Sequence, residues 1–150
     1  HSESMETFFA HVPGLRVLCP SNPARAYGLL LAAIRDPDPV VFLEPTRCYR
    51  LFKQSVEDDG AALPLDTAFV EREGTHVTLV SWGAMMHDAR LAADQLALQG
   101  VHCELIDVAS LKPLDMDSIL NSVAKTGRCV IVQEAPRAYG SPPIWPNTAC

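Results

Sequence analysis

Carboxylates and imidazoles are the side chains of this sequence best suited to proton transfer or metal binding. Glu44 and Glu134 each follow an apolar, strand-like run, and ligands of open parallel sheets gather at the carboxyl ends of strands. A catalytic carboxylate pair would need a shared cleft, which the sequence does not show, so we favour structural roles for both. His76, His87 and His102 lack metal-ligand spacing, and we expect them at surface or helix-face positions.

The cysteine pattern argues against a disulfide framework and against a zinc site. Five cysteines occur, an odd number, and no two form a Cys-X-X-Cys pair. Cys19, Cys103 and Cys129 fall in apolar runs, which indicates buried free thiols in a reducing compartment. The loop at residues 82–84 has neither a GxGxxG nor a GxxxxGK pattern, so we expect no phosphate-binding loop there.

The elements that carry these residues begin with a βαβ unit. Residues 15–19 are an apolar strand, and the polar pair Ser21-Asn22 followed by Pro23 predicts a helix start. Prolines within residues 36–39 end that helix, and residues 40–43 form a second strand. A strand, a helix and a strand in so short a stretch predict a parallel pair.

A second α/β unit, of order βαβαβ, follows. One helix ends near Gly100, and a second is capped by Asp115 and ended by Gly127. This pattern favours an open parallel sheet with flanking helices. The expected strands lie at residues 77–81, 101–108 and 128–133.

Two segments stand outside these units. Residues 46–75 show no sustained hydrophobic periodicity, and we interpret them as a linker with an edge strand at 67–71. Near the end of the chain, Pro142, Pro143 and Pro146 cannot continue a helix or a central strand, although a doubly wound half-domain needs a helix there. We interpret the tail as a truncation or a shifted reading frame, a hypothesis that the coding DNA would test.

Composition excludes several classes of protein. A hydrophobic content of 48% with 20% charged residues indicates a globular chain. The net charge of −6 and the absence of basic clusters argue against nucleic-acid binding. No apolar run approaches the length of a membrane span, and no signal peptide is visible. Because the chain begins at His1 rather than methionine, we expect it to start inside a longer protein.

A series of short motifs, in order and at consistent spacing, resembles the beta subunits of thiamine-diphosphate-dependent 2-oxo acid dehydrogenases (the E1 component), of the pyruvate and branched-chain types. Each motif alone is weak, and their order along one chain is what makes the resemblance specific. The family usually has Gln at the position of Glu3 and often Pro at that of Met5. The motifs are His1-Ser2-Glu3-Ser4, Phe8-Phe9-Ala10-His11, Ala33-Ile34-Arg35-Asp36, Phe42-Leu43-Glu44-Pro45, Leu111-Lys112-Pro113-Leu114-Asp115, Lys125-Thr126-Gly127-Arg128 and Gln133-Glu134-Ala135-Pro136-Arg137.

The resemblance implies the fold and its division. Residues 1–45 resemble the C-terminal part of a transketolase-like pyrimidine-binding domain, residues 46–75 a linker, and residues 76–150 a truncated transketolase C-terminal domain. The implied fold is therefore α/β, with parallel sheets and flanking helices. The part of the pyrimidine domain with the glutamate that contacts the cofactor is expected to be missing, so the chain is expected to be a fragment that is inactive alone.

The resemblance also implies the chemistry. The intact enzyme decarboxylates pyruvate or a branched-chain 2-oxo acid and passes the acyl group to a lipoyl group, using thiamine diphosphate with magnesium held mainly by the alpha subunit. The implied partners are an alpha subunit, a second beta subunit and the lipoyl acyltransferase core, in the cytoplasm or, in a eukaryote, the mitochondrial matrix. One alternative is a catalytically silent fragment that keeps only subunit contacts. Another is an unrelated flavodoxin-like binding domain, which would have one continuous sheet.

Four site residues follow from the resemblance. His1 matches a family histidine near the thiazolium ring, and imidazole suits proton transfer near neutral pH; Glu3 could alter its protonation. A family potassium site matches Ala33, Asp36 and Asp38, where unsatisfied carbonyls at a helix end attract a cation. An ordinary Asp-Pro turn is the alternative. No cofactor-binding residue is assigned.

Overall fold

The computed structural model of the chain describes residues 4–135, so His1 and the proline-rich tail lie outside the described residues. The described strands, in chain order, are β1 (Arg16–Leu18), β2 (Val40–Phe42), β3 (Phe69–Arg72), β4 (Val77–Ser81), β5 (Cys103–Asp107), β6 (Ser110–Lys112) and β7 (Cys129–Ile131). The described α-helices are α1 (Glu6–Ala10), α2 (Pro23–Arg35), α3 (Met85–Ala97) and α4 (Met116–Thr126), and a short 3-10 helix spans Thr46–Arg50.

The first sheet has the strand order β2–β1–β6 and contains the predicted βαβ unit. Strands β1 and β2 run parallel. Helix α2 begins as expected, because the Asn22 side chain accepts a hydrogen bond from the Arg25 amide at 2.9 Å and Pro23 occupies the first turn. It ends where the backbone of Asp36 becomes extended before a proline.

The second sheet has the order β3–β5–β4–β7, and its strands β5, β4 and β7 run parallel, which confirms the βαβαβ pattern. Helix α4 is capped by Asp115, whose side chain accepts a hydrogen bond from the Ser118 amide at 3.1 Å. The helix ends at Gly127, which has a φ of +71°. Glycine suits this left-handed conformation because it has no Cβ.

Both sheets are mixed, which corrects the expectation of parallel sheets. Strand β6 pairs antiparallel with β1, with Leu18 opposite Ser110, and β3 pairs antiparallel with β5, with Val70 opposite Ile106. Strand β3 lies close to the expected edge strand. Strand β6 was not expected, because its three residues read as part of the connection to α4, and only a long-range partner makes them a strand.

One hydrophobic core joins the N-terminal part (residues 4–45) to the C-terminal part (residues 66–135). Val17 packs in the same cluster as Val80, Ile106 and Ile119, and all four side chains are fully buried. Burial of each such side chain stabilises the fold by about 1.5–3 kcal/mol. Within the described range the chain forms two sheets, so the flavodoxin-like alternative, which would have one continuous sheet, is wrong.

Two further expectations bear on the class of protein. Cys19 and Cys103 are buried thiols without a disulfide, as predicted, whereas Cys129 is half-buried and not buried as expected. The longest helices among residues 4–135 have 13 residues, and none of the helices described is long and apolar enough to cross a bilayer.

Candidate functional site

The carboxyl ends of parallel strands from both sheets meet at one cleft. Cys19 directly follows β1, Leu43 follows β2 and Trp82 follows β4, while Glu134 lies just beyond β7. They border a cavity of about 320 Å³, which we call the strand-end cleft. Open α/β sheets bind ligands at this edge. The cleft is lined by Ser4, Met5, Glu6, Cys19, Leu43, Glu44, Pro45, Thr46, Arg47, Trp82, Gly83, Ala84, Met85 and Glu134.

Gly83 allows the two parts to approach closely beside the cleft. Its φ of +52° is in the left-handed region, which favours glycine. A Cβ atom at this position would lie 2.7 Å from Cys19 Sγ and 3.1 Å from Pro45 Cγ. The loop after β4 can therefore contact the ends of β1 and β2 only because it has no side chain there.

Acidic side chains dominate the strand-end cleft. Glu6, Glu44 and Glu134 line it, whereas Arg47 is the cation among its described lining residues. Glu6 accepts a hydrogen bond from Trp82 Nε1 at 3.3 Å, which ties the N-terminal segment to the loop after β4. The cleft thus combines three carboxylates with an aromatic wall.

Arg47 does not offset this negative charge, because its guanidinium is already paired with the carboxylate of Asp88, outside the cleft. Its guanidinium donates to both oxygens of Asp88, at 2.8 and 3.1 Å, and these hydrogen bonds raise the pKa of Arg47. The Tyr49 hydroxyl donates a hydrogen bond to Glu44, another residue that lines the cleft, and this hydrogen bond raises the pKa of Tyr49. The resulting field disfavours anionic ligands in the cleft.

Cys19 lines the cleft but is not activated as a nucleophile. The side chain is only 3% exposed. Burial raises the pKa of its thiol well above the usual range, and the negative charges of Glu6 and Asp107 raise the pKa further. Because the thiolate is the reactive form, Cys19 belongs to the apolar wall of the cleft.

The structure brings Glu44 and Glu134 to one cleft, which sequence reasoning did not anticipate. Their meeting depends on packing between two sheets, for which a single sequence has no local signal. Trp82 and Arg47 were missed for the same reason. His1 lies outside the described residues, but Ser4, three residues later in the chain, lines the cleft.

The predicted metal residues form an Asp-Pro turn that faces Arg16. The Asp36 amide donates to the Ala33 carbonyl at 3.3 Å, and the Asp36 carboxylate accepts the Asp38 amide at 2.8 Å. Arg16 Nε lies 3.4 Å from Asp36 Oδ1 and 3.7 Å from Asp38 Oδ2. In the described part of the chain, no group of three or more His, Cys, Asp or Glu side chains is arranged to hold a metal. A cation at this turn would therefore depend on backbone carbonyls.

Comparison with known proteins gives matches along most of the chain. Residues 1–51 match the family model of the transketolase pyrimidine-binding domain, and residues 66–141 match that of the transketolase C-terminal domain. The chain is 46% identical over 140 residues to the pyruvate dehydrogenase E1 component subunit beta of Bacillus subtilis, covering 93% of this chain and 43% of that protein. It is 48% identical over 140 residues to the mitochondrial 2-oxoisovalerate dehydrogenase subunit beta 2 of Arabidopsis thaliana, covering 93% of this chain and 39% of that protein.

Among solved structures, a split-gene transketolase described as an inactive beta4 tetramer is similar. Its TM-score is 0.72 at 25% identity, over 87% of this chain and 42% of that chain. The chain thus spans less than half the length of the curated relatives and of the solved structure that it matches.

Proposed function

Since the chain belongs to the transketolase family, with a pyrimidine-binding match followed by a C-terminal-domain match, we propose that it is part of the beta subunit of a thiamine-diphosphate-dependent 2-oxo acid dehydrogenase. The observation that carries this proposal is an identity of 46% and 48% to two such beta subunits, each over 140 residues that include both parts. The proposed reaction is oxidative decarboxylation of pyruvate or a branched-chain 2-oxo acid, with transfer of the acyl group to a lipoyl group.

The described residues do not fit the diphosphate and magnesium of the cofactor. The strand-end cleft presents three carboxylates, and its Arg47 is already paired with Asp88. Among residues 4–135, no three His, Cys, Asp or Glu side chains are grouped so that they could hold a metal ion. When bound, thiamine diphosphate supplies the carbanion stabilisation that such decarboxylations need. We propose that the alpha subunit, together with beta-subunit residues other than 4–135, holds its charged end.

Within this assignment, His1 is the residue that we propose for proton transfer, because an imidazole changes its protonation near neutral pH. Ser4 lines the strand-end cleft, and three residues of extended chain span at most about 11 Å. This short separation along the chain supports the proposal for His1, whereas helix α1 separates His11 from Ser4 in the sequence.

A chimera tests this role directly. In the Bacillus subtilis beta subunit, residues 1–135 of this chain would replace the matching segment, and the protein would be assembled with its alpha subunit. We expect His1→Ala to lower the decarboxylation or acyl-transfer rate by about 10²–10⁴-fold with the assembly mass unchanged. The matched control His11→Ala should stay within twofold of the parent. A His1→Ala chimera that is as active as the parent chimera would contradict the proposed role of His1 in proton transfer.

The proposed partners are an alpha subunit, a second beta subunit and the lipoyl acyltransferase core, in bacterial cytoplasm or the mitochondrial matrix. To test this, the chain would be mixed with a pyruvate dehydrogenase alpha subunit, thiamine diphosphate and magnesium. Sedimentation velocity would measure assembly, and carbon dioxide release from a 2-oxo acid would measure turnover. Turnover supports an enzyme subunit. Assembly without turnover supports the second candidate, a silent fragment with subunit contacts, and a folded chain that binds no alpha subunit would overturn both.

A potassium site at Ala33, Asp36 and Asp38 also remains a proposal. Its support is the carbonyl-rich end of α2 beside two carboxylates that Arg16 neutralises only in part, since Arg16 also pairs with Asp66. We expect 100 mM potassium chloride to raise the melting temperature more than the same concentration of tetramethylammonium chloride. Equal effects of the two salts would argue for a plain Asp-Pro turn.

A further inference from the structure

A partly buried polar network crosses the contact between the two parts of the chain. Ser21 and Arg25 come from the N-terminal part, at the start of α2, and Glu71, Arg90 and Asp107 come from β3, α3 and β5 of the C-terminal part. We call these five residues the interdomain network. The network lies beside the strand-end cleft, because Cys19, which lines the cleft, is two residues before Ser21.

Asp107 is the most deeply buried member, with a side chain that is 0% exposed. Its Oδ2 accepts a hydrogen bond from the Ser21 hydroxyl at 2.6 Å and lies 3.4 Å from Arg25 Nε. Its Oδ1 has no hydrogen-bond donor among the residues described. One oxygen of this buried carboxylate therefore has no donor among the described residues, which disfavours its negative charge.

The hydrogen bonds from Arg90 to Glu71 are shorter than the contact between Arg25 and Asp107. Arg90 donates to both oxygens of Glu71 at 2.7 Å and to the Ser21 hydroxyl at 3.2 Å. Arg25 stacks at 3.6 Å over the Phe69 ring and lies 3.9 Å from Glu71. The two arginines are thus shared between two carboxylates, and Glu71 has the better contacts.

The charges of the network and the pKa of Asp107 show which group can take up a proton. With Asp107 ionised, two arginines face two carboxylates and the network is neutral. Burial raises the pKa of Asp107 to about 6, and the charge of Glu71 adds to the rise, while Ser21, Arg25 and Arg90 oppose it. The Cys19 and Cys48 thiols also act on this cluster, and burial is the largest cause that raises the pKa of each thiol, which keeps both neutral. Lys53 and His87 face Glu71 and Arg90 across an open pocket on the outer side of the network.

We propose that, in mildly acidic solution, closure of the N-terminal part onto the C-terminal part takes up a proton, which the interdomain network holds on Asp107. Opening exposes this carboxylate to water, where it ionises at its ordinary, lower pKa. Acidification from neutral pH therefore tightens the contact between the parts, and alkalinisation loosens it. The device concerns the coupling of the two parts and does not depend on the reaction proposed above.

Amide hydrogen exchange reports this opening at one bond that bridges the parts, from the Cys19 amide to the Ala109 carbonyl at 2.8 Å. After correction for intrinsic exchange, the protection factor of the Cys19 amide should rise roughly tenfold from pH 7 to pH 5. Asp107→Asn should abolish this rise, whereas the exposed control Asp117→Asn should keep it. A protection factor that is flat or falls toward pH 5 in the unsubstituted chain would overturn the proposal.

A second measurement keeps the proposal testable if Asp107→Asn fails to fold. The side-chain carboxyl carbon of Asp107 can be titrated by nuclear magnetic resonance in the unsubstituted chain. A midpoint near 6 supports proton uptake on closure. A midpoint at or below the ordinary value of 3.8 contradicts it.

Discussion

Asp115 joins helix α4 to the segment before β3, so its removal should destabilise two regions at once. Its Oδ1 accepts the Ser118 amide at 3.1 Å, which caps the helix. Its Oδ2 accepts the Ser118 hydroxyl at 2.7 Å and the Ala68 amide at 3.0 Å. Ala68 is 6% exposed, so its amide has little access to water. Asp115→Ala removes all three acceptor contacts.

The expected loss follows from these contacts. Removing an N-cap costs about 1 kcal/mol, and leaving the buried Ala68 amide without an acceptor costs about 1–3 kcal/mol. Asp115→Ala should therefore lower the free energy of unfolding by about 2–4 kcal/mol, a large share of the roughly 5–15 kcal/mol of a typical domain. Asp115→Asn should lose less, because asparagine keeps one acceptor oxygen and caps helices well.

The loss should depend on pH. Partial burial acts to raise the pKa of Asp115, but the hydrogen bonds from Ser118 and Ala68 outweigh it and hold the pKa below the usual range. A carboxylate with a lowered folded-state pKa stabilises the fold above its unfolded-state pKa, and this stabilisation disappears as the pH falls through the folded-state value. The difference between the unsubstituted chain and Asp115→Ala should accordingly shrink in acid.

Urea denaturation followed by circular dichroism at pH 7 and at pH 3.5 would measure both effects. The matched control is Asp117→Ala, which removes an exposed carboxylate from the first turn of the same helix and should cost no more than about 0.5 kcal/mol. An Asp115→Ala loss as small as that of the control would refute the argument. A loss that grows between pH 7 and pH 3.5 would refute its electrostatic part.

Two further substitutions probe the packing of the second sheet. In Gly74→Ala the new Cβ would lie 2.1 Å from the backbone carbonyl carbon of Cys103, so we expect a loss of at least about 2 kcal/mol in urea denaturation; a neutral result would contradict the close approach. Thr78→Val removes the hydroxyl that bonds Ser122 at 2.7 Å and Thr126 at 2.8 Å, which should cost about 1–3 kcal/mol. Combining it with Ser122→Ala should recover part of that loss, and a purely additive loss would argue against an unpaired hydroxyl as the cause.

Local signals were sufficient to predict helices α2, α3 and α4 and most strands, whereas the five-residue helix α1 was not predicted. Asn22 with Pro23 marks the start of α2, and Asp115 and Gly127 mark the two ends of α4, because capping side chains and a left-handed glycine act within one turn. The parallel strands followed from continuous apolar runs. Each of these features depends on residues close together in the chain.

Apart from the short helix α1, the features that sequence reasoning missed depend on distant residues. Strand β6 is extended only because it pairs with β1, nearly a hundred residues earlier, and three residues are too few to show a period. The strand-end cleft and the interdomain network exist only once the two sheets pack together. Asp36 and Asp38 were correctly placed at the turn after α2, but their partner Arg16 carries no motif that points to them.

The central claim is that strand ends from both parts of the chain form one cleft. The most direct test is a nuclear Overhauser measurement on the isotopically labelled chain, between the α protons of Gly83 and the side-chain protons of Cys19 and Pro45. We predict cross-peaks to both residues, because a Cβ on Gly83 would lie 2.7 Å and 3.1 Å from their side chains. A folded chain in which Gly83 shows cross-peaks only to residues of its own C-terminal part would contradict the account.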